Sequence, residues 1–144
     1  MKTSNFSLNE IAHRPLPDDL MPMAVNAMGY MQAVRDAGCK HFGRNIGLRI
    51  TSGYRELEYN RRIGSSDRSY HIWRMGGSKA HAKDHSSEKG RLLWAVDFTP
   101  IGVSTSEYFR WYRLWSSGET YYHSRHNFIH TAPNAQDKPT WIQR

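Results

Sequence analysis

The chain carries eight histidines in 144 residues, and imidazole is the side chain best suited to bind a transition metal or move a proton near neutral pH. His13 and His41 stand beside polar or basic residues and read as surface groups. The rest fall in more constrained settings: Ser69-Tyr70-His71, His81 and His85 in a segment rich in Gly, Ser and Lys, His123 and His126 near the C-terminal end, and Phe128-Ile129-His130. One carboxylate, in Ala95-Val96-Asp97, follows an apolar run. A catalytic zinc takes three protein ligands from His, Asp or Glu and keeps one position open for water. The metal lowers the pKa of that water and polarises a scissile carbonyl. Taken singly, each of these residues is more often structural or solvated than a ligand, so their order and neighbours must carry the argument.

Thr51-Ser52-Gly53-Tyr54-Arg55 is followed by Tyr59-Asn60, Gly64, Ser69-Tyr70-His71, Ala95-Val96-Asp97 and Phe128-Ile129-His130. This ordered set resembles the peptidase M15 family, zinc D-alanyl-D-alanine carboxypeptidases and phage endopeptidases that share their fold with the Hedgehog signalling domain. Members read S-G-Y-R-x-x-x-x-N, a glycine turn, S-x-H, A-x-D, and an aromatic or aliphatic residue before a last His. The Asn60-to-His71 spacing is the family's usual one, and Phe6-Ser7-Leu8-Asn9-Glu10-Ile11 is similar to the lead-in of its phage branch. The resemblance covers most of the chain.

It implies that His71, Asp97 and His130 hold Zn2+. It also implies that Arg55 faces the active site, against a substrate carboxylate or the developing oxyanion. A planar guanidinium suits either task better than lysine; the bland reading is an exposed arginine at a helix start. Ser69 is expected to hydrogen-bond substrate or orient the His71 loop, with a simple turn serine nearly as good a reading.

Two departures from the family pattern stand out. Relatives place only about four residues between the first His and the Ala of A-x-D, whereas residues 72–94 intervene here. That insertion brings in His85, closer to Asp97 in sequence, as a rival first ligand; His71 is preferred because it keeps Ser-x-His and the spacing from Asn60. Its Lys79, Lys83, Lys89 and Arg91 suit an anionic surface, as a lid or wall-binding element, or simply mark a solvated loop. The second departure is Asn127, three residues before His130, where many relatives carry an acid or His able to take a proton. His126 and then His123 are the nearby candidates for that role, unless both are surface histidines in a turn.

The elements that must position these groups read as follows. Residues 1–17 form an extended lead-in. A helix opens at Asp18-Asp19 and runs to about Ala37, with Leu20, Ala24, Ala27, Met28, Met31 and Val34 on one face and Gly38 as its stop. The methionines there are core filler. Ile46, Leu48 and Ile50 alternate with polar residues as a half-buried strand. Tyr54 to Ile63 is a short helix, residues 72–90 a long loop, and Arg91 to Phe98 a buried strand. Ser104 and Glu107 cap a helix bearing Tyr108, Trp111, Tyr112 and Trp115, stopped by Gly118. Glu119–His123 and Asn127–Thr131 make a terminal hairpin. The sum is one α+β domain over residues 1–144, a small, mostly antiparallel sheet flanked by helices.

The formal charge is +7, which draws the chain to polyanions. Anionic cell-wall surfaces and peptidoglycan peptides are the expected partners. Nucleic acid is a minority reading, since no helix-turn-helix, zinc-finger or RNA-recognition signature is present. The single cysteine, Cys39, allows no internal disulfide. No apolar run could span a bilayer and no secretory signal is visible. The expectation is a monomer made in a host cytoplasm and acting on the wall after release, or carried on a virion. Within the family, the leading expectation is a phage or prophage endolysin endopeptidase; the alternatives are a D-Ala-D-Ala carboxypeptidase and a non-catalytic, zinc-retaining binding or virion structural module.

Overall fold

The computed structural model of the protein describes residues 3–78 and 83–143; Lys79 and His81 of the insertion lie outside them. The lead-in is not extended throughout. Ser7 and Glu10 form a capping box, the Ser7 amide donating to Glu10 Oε1 at 3.1 Å, and start a one-turn helix α1 (Leu8–Ile11). This turn buries Ile11 against the core.

After a 3-10 turn at Asp18–Leu20, α2 runs from Met21 to Phe42, opened by Pro22, whose fixed φ and missing amide suit a first helical turn. Gly38 does not stop it. The helix passes through Gly38 because the ring of Tyr108 packs where a Cβ would stand. Close packing, and not a turn, explains that glycine. The expected apolar face is real: Ala24, Ala27, Met28, Met31 and Val34 are all buried.

Strand β1 (Gly47–Ser52) alternates as expected, with Leu48 and Ile50 buried and Arg49 and Thr51 exposed. Helix α3 is shorter than its sequence pattern, Leu57–Arg62. The run from Arg91 divides into β3 (Leu92–Leu93) and β4 (Val96–Ile101). Residues 72–90 are not simply a loop: β2 (Arg74–Met75) pairs antiparallel with β3, and a 3-10 turn spans Ser86–Glu88. Hydrogen bonding within the insertion, described below, replaces the periodic apolar pattern that such a fold would otherwise show.

Helix α4 (Thr105–Trp115) is capped by Ser104 Oγ, which accepts from the Glu107 amide. It buries Tyr108, Phe109 and Tyr112. Then come β5 (Glu119–His123), β6 (Phe128–Ala132) and a further strand, β7 (Trp141–Gln143). The five-stranded sheet has the order β1-β4-β6-β5-β7, antiparallel except for the β5·β7 pair. This is the α+β class expected.

Alternation divides the sheet into two faces. Ile50, Phe98 and Ile129 stand in register and join α2 and α4 in the main core. The neighbouring row is polar. An irregularity between Ile50 and Ser52 brings Ser52 opposite Asp97, which lies opposite His130, which lies opposite Tyr121. One extra residue in β1 thus re-aims the end of the strand, as bulges beside functional sites commonly do.

Candidate metal centre

Register alone places Asp97 and His130 side by side, since they are directly paired on β4 and β6. The third residue, His71, comes from the loop after α3, and several contacts of the motif residues hold that loop. Asn60 is fully buried and its amide donates to the Ser66 carbonyl at 2.8 Å. The Arg55 amide donates to the His71 carbonyl at 2.8 Å. Ser69 Oγ accepts from the His71 amide at 3.2 Å. Gly53 is required because the Ile11 carbonyl occupies the space of any Cβ there, while that same carbonyl accepts from the Tyr54 amide at 2.9 Å.

The three side chains converge. His71 Nε2 lies 3.1 Å from Asp97 Oδ1 and His130 Nδ1 lies 2.9 Å from the same oxygen. All three residues are buried, and one ligand atom from each falls within 4.8 Å of the others. His85 is not part of the group. It caps the 3-10 turn of the insertion, with Nδ1 2.7 Å from Ser87 Oγ.

The outward nitrogens decide what the cluster can hold. His71 Nδ1 lies 2.7 Å from the Gly53 carbonyl, which can only accept, so this nitrogen carries the proton. His130 Nε2 lies 2.7 Å from Glu119 Oε1. Burial alone would raise the Glu119 pKa, but hydrogen bonds and charges from His130 and Lys138 bring it down to about 2, so it too accepts. Were both imidazoles neutral, this orientation would present two lone pairs to a carboxylate. Three acceptors around one point repel unless a cation lies between them. In the protein alone a proton meets the need: burial would depress His130, yet its bonds to Asp97 and Glu119 lift it to about 9. Burial likewise works against an ionised Asp97, but the charges and hydrogen bonds of both histidines hold it well below the usual carboxylate range. A His/His/Asp donor set, with each outer ring nitrogen held by a carbonyl or carboxylate, also fits zinc.

Around the triad, Arg55 donates to Ser52 Oγ and Asn60 Oδ1, and its Nη2 lies 3.9 Å from Asp97 Oδ2. Tyr121 stacks on His130 at 4.5 Å between ring centroids. Burial, with the charges of Asp97 and Glu119, raises its phenol pKa above the ordinary value, so the group is a hydrogen-bond donor. His123 and His126 are elsewhere. Their rings meet at 4.7 Å at the turn of the β5–β6 hairpin, and His123 stacks on Phe128. No hydrogen bond or ring contact among the described residues joins either to the triad. Asn127, the positive-φ residue of that turn, carries no basic group; its Oδ1 accepts from the Tyr122 hydroxyl.

Glu119 and Tyr121 carry no role in the sequence reading. Both share the strand parity of the hairpin face that bears His130, but their approach to it depends on register, which the turn length alone does not fix.

No curated protein and no solved structure matches the chain. A family model described as Peptidase M15 matches residues 4–132. That span holds every motif residue named above, and it is nearly the whole chain: the protein belongs to the peptidase M15 family, and so to the hydrolases of peptide bonds.

Proposed function

We propose that this chain is a zinc endopeptidase that cuts peptide bonds in bacterial peptidoglycan, with His71, Asp97 and His130 holding the metal, and that it serves a phage or prophage as an endolysin. The observation that carries the reading is the convergence of three acceptors on one buried point, in a chain whose family hydrolyses peptides. When bound, zinc supplies Lewis acidity, making water nucleophilic near neutral pH and polarising a peptide carbonyl.

The protein's own groups do the rest. Gly53 and Glu119 fix the two imidazoles in the tautomers that offer Nε2 of His71 and Nδ1 of His130 to the metal. Arg55, pre-positioned by Ser52 and Asn60, and the neutral phenol of Tyr121 are donors at the edge of the site for charge that develops on a carbonyl oxygen. Ser69 steadies the His71 backbone and lines the adjoining cleft. The net charge of +7 favours approach to an anionic wall.

The test is loss of turbidity of purified cell walls incubated with the zinc-loaded protein, set beside Asp97→Asn. Clearing by wild type and not by the variant is the expected result. A second reading, a zinc-retaining binding module, is favoured by Asn127 in the place of an acid and by the remoteness of His123 and His126. Tight zinc binding together with wall binding, and with no bond cut, would establish that reading and sink the first.

A further inference from the structure

The ring of His130 is held in its plane and on its face by different groups. In the plane, Nδ1 meets Asp97 Oδ1 at 2.9 Å and Nε2 meets Glu119 Oε1 at 2.7 Å. Bonds to ring nitrogens lie in the plane of the ring, so these two leave its tilt to whatever stacks on its face. Tyr121 does so, at 4.5 Å between centroids and 13° between planes. Trp141 stacks on Tyr121 in turn, at 4.8 Å and 25°. The register sets the three rings in one row, since Tyr121 on β5 lies opposite His130 on β6 and opposite Trp141 on β7. Because β5 runs between β6 and β7, the phenol is held between imidazole and indole.

Glu119 is supported from the same direction. Its second oxygen accepts from Lys138 Nζ at 2.7 Å. Lys138 and Trp141 belong to the segment that follows β6, and both lie beyond residues 4–132, which the family model matches. That segment is anchored near the two ends of β5: the Gly118 amide donates to Asp137 Oδ1 at 2.8 Å, and the Ser124 amide to the Gln143 carbonyl at 2.8 Å. Between these anchors it buries little. β7 is three residues long and exposed throughout, Trp141 by 37% and Ile142 by 50%. So short an edge strand gains little from apolar burial, and elements of this kind open locally before the rest of a fold.

We propose that Trp141 and Lys138 are positioning residues for the metal centre: through Tyr121 and Glu119 they hold the His130 imidazole in the orientation that binds the ion, so that metal binding and docking of β7 favour one another. The inference rests on the metal-site reading of the triad and needs no particular substrate. An equilibrium coupling is reciprocal. A strand that improves the site for the metal must be held more firmly once the metal is bound.

Zinc affinity, read by competition with a chromogenic chelator, tests one direction. Trp141→Ala should weaken it roughly tenfold, the scale for losing a group that orients a metal ligand, whereas Trp141→Phe, which keeps a ring on Tyr121, should stay within about twofold of wild type. Lys138→Met should weaken it about threefold. Hydrogen exchange of the wild-type chain tests the other direction: the β7 amides should exchange roughly tenfold more slowly with zinc than without. This arm needs no variant, so it decides the matter even where Trp141→Ala fails to fold. Wild-type affinity in folded Trp141→Ala or in Lys138→Met, or β7 exchange indifferent to zinc, would overturn the proposal while leaving the metal site in place. A wild-type chain that takes up no zinc would instead sink the metal reading, and this proposal with it.

Discussion

Among the described residues, buried acidic, guanidinium and imidazole side chains gather at two places, and the two are built on opposite plans. In the insertion, Arg74 donates to Asp84 through Nε and Nη2 and to the carbonyls of Ser69 and Ile72 through Nη1, while Glu88 accepts from Tyr70 and two backbone amides. Donors meet acceptors throughout. In the triad, two ring nitrogens point at one carboxylate oxygen while Gly53 and Glu119 hold the outer nitrogens, so the inner three are matched only through a shared proton or another cation. Burial of polar groups costs free energy unless they are matched. The first cluster removes that cost within the chain and so is architecture. The second removes it only through a cation shared among acceptors, a proton or a metal, and so is a candidate site. The sign of the mismatch, more than the degree of burial, separates them.

The sharpest way to break the comparison is to change the sign. Asp97→Asn replaces an ionised acceptor with a neutral amide of the same shape. Bound zinc, measured by atomic absorption after desalting, should fall from about one per chain to nearly none, and hydrolysis by about a thousandfold or more. Zinc retained at full stoichiometry would mean that the metal lies elsewhere. In the insertion, Arg74→Ala withdraws a buried guanidinium from Asp84 and two carbonyls. Urea unfolding of the metal-free protein should show a loss of about 3–5 kcal/mol, the scale for breaking a buried ion pair. A loss under about 1 kcal/mol would show that the insertion is not the closed network described. Glu119→Gln keeps an acceptor beside His130 but removes the charge shared with Lys138, and competition with a chromogenic chelator should show zinc held about tenfold more weakly. No change in affinity would leave Glu119 without the positioning role given to it.

How far these two clusters could be read in advance differs for a physical reason. His71, Asp97 and His130 sit in short motifs whose neighbours are fixed by packing: Gly53 by the Ile11 carbonyl, Asn60 by the Ser66 carbonyl, Ala95 in a small apolar cluster with Ala132 and Ala135. Such constraints leave a trace in order and spacing. The helices and most strands were legible too, because apolar periodicity is a local signal. Arg74, Asp84 and Glu88 leave no period, since the contacts that tie them together and to the body, Arg74 to Asp84, Glu88 to Tyr70 and Glu88 to Gln136, span 10, 18 and 48 residues. Glu119 escaped because its meeting with His130 depends on hairpin register. Gly38 has the local signature of a helix stop because the ring of Tyr108, which demands a glycine there, lies far along the chain.

The smallest expected effect bears on the plainest disagreement between spacing and structure. Counted from His130, His126 stands near the position where many relatives carry a proton acceptor, and His123 is the next candidate. The structure places both at the hairpin turn, where no hydrogen bond or ring contact among the described residues joins either to the triad. His130 lies opposite Tyr121 and His123 lies opposite Phe128, on whose ring it stacks, while His126 meets His123 at the turn. A general base must come within hydrogen-bond reach of the proton it takes, directly or through one water. His126→Ala and His123→Ala should therefore alter the rate of wall-peptide hydrolysis less than about threefold and leave zinc stoichiometry unchanged, as expected of groups in a surface turn. A loss of a hundredfold or more in kcat from His126→Ala, with zinc still bound, would show that the hairpin turn folds over the metal during turnover. The open plan of the triad would then extend to the end of β5.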